Sequence, residues 1–162
     1  MAQVGDSKQL RLLDEKRKGL YMENVKKTIE LDTQQFGLCD IQGRFFELAL
    51  KKGYDCKNFV EKFMNSRVAA ALDDVYDRMQ WAGEEYLLEE LDDEVGGLAK
   101  AGVAYNNEIM YWTGYTYRYW HYYTGENSKQ IYAIADFDKM SMVYPAYHTL
   151  DVTMAVDRLK ES

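Results

Sequence analysis

Residues 105–126 read YNNEIMYWTGYTYRYWHYYTGE (Tyr105–Glu126), and the period assigned to this stretch decides the fold. It holds seven of the fourteen tyrosines, two of the three tryptophans and one of the two histidines. Period two gathers Tyr111, Thr113, Tyr115, Tyr117, Tyr119, His121 and Tyr123 on one strand face, and these residue types favour strands. Period 3.6 gathers Ile109, Trp112, Thr116, Tyr119, Trp120 and Tyr123 on one helix stripe instead. Length decides between them: nearly twenty residues without a turn signal are too many for one strand, and Gly125 supplies a helix stop. The stretch is expected to be a helix. Rings with polar tips suit a hydrogen-bonded interior, a ligand-lined groove or a partner-binding face.

Outward from that helix, short elements with capping residues recur. Asp40 is read as the N-cap of a helix through Ile41, Phe45, Leu48 and Ala49, closed by Gly53. Asp55 caps a second helix with Phe59, Val60, Phe63 and Met64, and Ser66 a third with Val68, Ala69 and Leu72. A fourth begins near Gln80 and shows Trp81, Leu87, Leu88, Leu91 and Val95 opposite an acidic face. After the aromatic helix, Ser128 caps a short helix and Asp138 starts another turn that Pro145 ends or redirects. Asp151 caps the last, VTMAVDRLKE. The expected fold is all-α: a compact irregular bundle of six to eight helices. Residues 1–34 are expected to form an N-terminal mixed-charge helical arm. Residues 35–162 are expected to form a single helical domain with a glycine-rich connector at 95–103.

Composition narrows the function. The 162 residues include 47% apolar and 14% aromatic side chains with one proline, which excludes a disordered chain. The net charge is −7, and the segment Asp73–Glu94 alone carries −9, leaving +2 for the remainder. A basic footprint for nucleic acid is missing. No stretch approaches the roughly 20 apolar residues that span a bilayer, so no membrane partner is expected. Cys39 and Cys56 form no CxxC pair and supply too few soft ligands for a structural zinc. Free thiols and a cytoplasmic location are the default, with no metal and no cofactor.

The candidate sites fall in three places. Arg118 and Tyr122 share a helix face, as do Tyr117 and His121. Tyr115, Arg118, Tyr119, His121 and Tyr122 would line a pocket for a nucleotide-like ligand, Arg118 gripping a phosphate and His121 exchanging a proton. The bland alternative makes these rings core and pairs Arg118 with Glu126 or an acid from 73–94. His148, in PAYHTLD, is a second candidate acid or base that could face His121. The acidic helix offers Glu85, Glu89 and Asp93 as a partner-binding face, or simply a solvated one. No nucleophile or phosphate-loop motif occurs.

The strings YWTGYTYRYWHYYTGENSKQIY and YPAYHTLDVTMAVDRLKE, with FVEKFMNSRVAAALD and QWAGEEYLLEE, resemble a family of small uncharacterised bacterial proteins. Members occur near toxin–antitoxin-type cassettes. The resemblance covers roughly residues 38–160 and implies a cytoplasmic bacterial accessory protein, with no catalytic residue to carry over. The leading expectation is therefore a protein-partner-binding, antitoxin-like protein; a nucleotide-binding enzyme is the alternative. Pairing of subunits through residues 1–34 is a further expectation.

Overall fold

The computed structural model describes residues 30–102 and 105–162. The expected arm, and any pairing through it, falls almost entirely outside the described residues. Among the described residues eight α-helices occur in order: α1 (Thr33–Lys51), α2 (Cys56–Met64), α3 (Arg67–Asp73), α4 (Glu84–Glu94), α5 (Asn107–Thr124), α6 (Ser128–Ile134), α7 (Phe137–Tyr147) and α8 (Val152–Glu161). A 3₁₀ turn, Arg78–Trp81, precedes α4. Among the described residues the sole β pairing is an isolated bridge between Tyr54 and Lys100. The fold is an all-α bundle, and residues 31–162 form one compact unit.

The ring-dense stretch is a helix. Asn106 caps α5 by accepting from the Ile109 N–H, and Gly125 ends it in the left-handed region at φ 82°. From Thr113 to Trp120 only Tyr115 escapes full burial, because helices pack around this one on most sides. The predicted stripe is therefore too narrow: Tyr117 and Arg118 are buried as well.

The principal packing partner of α5 is α1, and their crossing is unusually close. A Cβ placed on Gly114 would lie 2.6 Å from the Gln42 carbonyl oxygen and 2.9 Å from the Phe46 ring. A Cβ on Gly43 would lie 2.7 Å from the Tyr111 ring. Glycine weakens a helix by about 1 kcal/mol relative to alanine, and here that loss admits the neighbouring helix. Behind the crossing, Phe45, Phe46, Phe59 and Phe63 interlock, with Phe45 meeting Phe59 and Phe63 edge-on at 5.1 Å each.

Several predicted boundaries move. Asp40 is not an N-cap: α1 starts seven residues earlier, where Asp32 and Gln35 form a capping box. The fourth helix does not run from Gln80, since Gly83 at φ 91° separates the 3₁₀ turn from α4. Trp81 consequently faces solvent, 62% exposed, instead of joining the core. Asn127, not Ser128, caps α6. Asp136, not Asp138, caps α7, and Pro145 lies within its last turn without ending it. The caps Asp55 and Ser66 stand as read, each accepting from a backbone N–H three residues on.

Candidate functional site

Arg118 sits on the inward side of α5, 1% exposed. Its Nη1 donates to the Asp73 carboxylate at 2.7 Å, its Nε to Gln42 Oε1 at 2.8 Å and its Nη2 to Ser128 Oγ at 3.3 Å. Asp73 is completed by Ser128, whose backbone N–H and hydroxyl both donate to it. Gln42 also donates to the Gly114 carbonyl at 3.0 Å. One buried guanidinium thus ties α1, α3, α5 and α6 together, with each polar group satisfied. The pairing with an acid from 73–94 is the core alternative of the sequence reading, and it removes Arg118 from phosphate binding.

His121 lies beside this network, its Nδ1 2.6 Å from the Glu126 carbonyl oxygen and 3.8 Å from Asp73. A carbonyl accepts only, so Nδ1 carries the proton. Tyr122 packs on the His121 ring at 5.1 Å, and burial, offset in part by Arg118, pushes its hydroxyl up to about 12. Tyr119 is buried against Phe36 and Tyr123. Tyr119 belongs to the interior, and His121 and Tyr122 lie half-buried beside it. Cys39 is also buried, and desolvation raises its thiol to about 12, so it is no nucleophile. Both cysteines are free thiols.

His148 does not join His121. It caps the C-terminal end of α7, stacks on Tyr144 at 4.4 Å and bonds the Tyr144 carbonyl through Nδ1 at 2.7 Å. There it lines an open groove of about 730 Å³ shared by α1, α5, α7 and the start of α8. Four rings wall the groove: Tyr111, Trp112, Tyr115 and Tyr144. Trp112 meets Tyr144 edge-on at 5.6 Å. Three carboxylates, Asp40, Glu47 and Glu108, oppose one guanidinium, Arg44. Arg44 is already engaged by Asp40 at 3.3 Å and Glu84 at 3.2 Å. Tyr111 donates its hydroxyl to Asp40, and burial together with that bond raises its pKa. The structure therefore unites Tyr115 and His148 but separates them from Arg118, Tyr119, His121 and Tyr122. Sequence reading passed over Asp40, Glu47, Glu108, Tyr111, Trp112 and Tyr144. Except for Tyr144, their signal was present in two helical spacings, Asp40–Arg44–Glu47 at i, i+4, i+7 and Glu108–Tyr111–Trp112–Tyr115 at i, i+3, i+4, i+7.

The acidic segment divides into two sets. Asp73 holds Arg118, Asp77 accepts from the Met79 N–H, and Asp92 from the Leu98 N–H. Glu94 accepts from the Arg67 and Val68 N–H groups, capping α3 from a distance. Those four maintain the fold. Glu85, Glu89 and Asp93 remain at the surface, with Glu85 held only loosely by Lys52 at 3.6 Å. The same segment exposes Val75, Tyr76, Trp81 and Tyr86.

Among the described residues no helix is long and apolar enough to cross a membrane, and no three metal-ligating side chains gather. No family model, curated protein or solved structure matches this chain.

Proposed function

We propose that this chain is a protein-partner-binding accessory or regulatory protein, antitoxin-like, acting in the bacterial cytoplasm. The observation that carries the reading is Trp81, a large ring left 62% exposed among carboxylates that the fold does not use. Tyr76 and Tyr86 are exposed in the same segment, as are Glu85, Glu89 and Asp93. Aromatic anchors with a charged rim are the composition of protein interfaces, where Trp and Tyr supply most of the binding energy. The rim selects a basic surface and speeds the encounter.

Co-expression with a basic protein encoded beside it, as a toxin–antitoxin-type cassette supplies, tests the reading. Co-purification is expected to fall with Trp81→Ala and to disappear in the triple reversal Glu85→Lys, Glu89→Lys, Asp93→Lys. Binding unchanged by both variants rules the segment out as the contact.

A further inference from the structure

We propose that the groove between α1, α5, α7 and α8 binds a small aliphatic ammonium ion, a site separate from the acidic segment. Three properties of the groove converge on this ligand class. The rings of Tyr111, Trp112, Tyr115 and Tyr144 line it, and aromatic faces attract a cation through their quadrupoles while ring carbon shelters its alkyl stem. Its charge is negative, with Asp40, Glu47 and Glu108 against a guanidinium already bound to two acids. Its volume of about 730 Å³ lies within the roughly 300–1,000 Å³ of small-molecule sites.

The individual carboxylates sharpen the assignment. Asp40 and Glu47 each accept from a neighbour, Tyr111 and Asn107. Glu108 has no hydrogen-bond or ion-pair partner among the described residues. A free carboxylate at the rim of an aromatic-walled groove is the position an ammonium head would take, its N–H groups donating to it. Phosphates and carboxylates are repelled by the same charge. A bare divalent ion lacks a nest, since no three ligating side chains gather.

The test uses spermidine as the probe and amide-and-indole NMR of the full chain as the readout, with sodium chloride at matched ionic strength as control. The three tryptophans report on three places: Trp112 in the groove, Trp81 on the acidic segment and Trp120 in the core. The Trp112 indole signal, identified by its loss in Trp112→Phe, is expected to move saturably while Trp81 stays still. Glu108→Lys, an exposed first-turn change, is expected to weaken the titration about tenfold, and Glu108→Gln by less. The triple reversal at Glu85, Glu89 and Asp93 should leave it intact, so failure of the partner reading and failure of this one are told apart. Shifts matched by sodium chloride, or Trp81 moving with Trp112, overturn the proposal. Saturation by a lysine-rich peptide but not by spermidine also overturns it, assigning the groove to a protein side chain instead.

Discussion

Asp73 and Arg118 meet at 2.7 Å in the interior, 45 residues apart in sequence, and the pair's other hydrogen bonds reach Gln42 on α1 and Ser128 on α6. Removing one member of a buried ion pair leaves the other charged and unpaired, which costs about 3–5 kcal/mol. Arg118→Met is expected to lower unfolding free energy by about that amount in urea titrations. Asp73→Asn is expected to cost a similar amount, since it leaves the Arg118 guanidinium buried without its counter-charge. The two changes together should cost less than their sum, because the second removes a partner already stranded. Additive losses would show that the pair is not coupled.

The α1–α5 crossing separates two glycines by what each would strike. Gly114→Ala drives a methyl group into a backbone carbonyl, which cannot yield without moving the helix. A loss of about 1–3 kcal/mol is expected despite alanine's better helix propensity. Gly43→Ala meets only the Tyr111 ring, which can tilt. Thermal melts should show the smaller drop for Gly43→Ala. The displaced ring should lose its bond to Asp40, read as a lower phenol pKa in a spectrophotometric titration.

Glu126 gives the fold a pH dependence. Burial acts to raise its carboxyl, but bonds from Lys160 at 2.9 Å and Trp120 at 2.8 Å outweigh that and lower it. A carboxylate depressed in the folded state stabilises above its unfolded pKa, about 4.3, and that contribution fades as pH falls through the folded value. Stability should therefore decline with acidification below about pH 4.3. In Glu126→Gln the decline over that window should be shallower and neutral-pH stability lower. Parallel curves for the two proteins would exclude the effect. The pair is partly exposed, so the difference is modest and shrinks with added salt.

Much of the fold was legible because single residues carried it. Gly125 stopped α5, Gly53 closed α1, and Asp55 and Ser66 opened α2 and α3, each needing only its own backbone. Asp40 misled because it stands just ahead of an apolar run, while the true start, Asp32 with Gln35, precedes a weakly apolar first turn. Trp81 misled for the opposite reason: periodicity assigned it inward, and the φ of Gly83 broke the period. Of the groove, only the two helix faces on α1 and α5 were legible, not their meeting. It needs residues 40–47, 108–115 and 144–152 to converge, and no local pattern records which helices become neighbours.

The Gln42–Gly114 bond spans 72 residues. At about 5–20 residues per second, Gln42 is synthesised on the order of ten seconds before its partner on α5. Through that interval Phe45 and Phe46 have no α5 to shelter them. The yield of the chain in a cell is accordingly expected to track elongation speed and growth temperature more steeply than the melting point of the finished protein suggests.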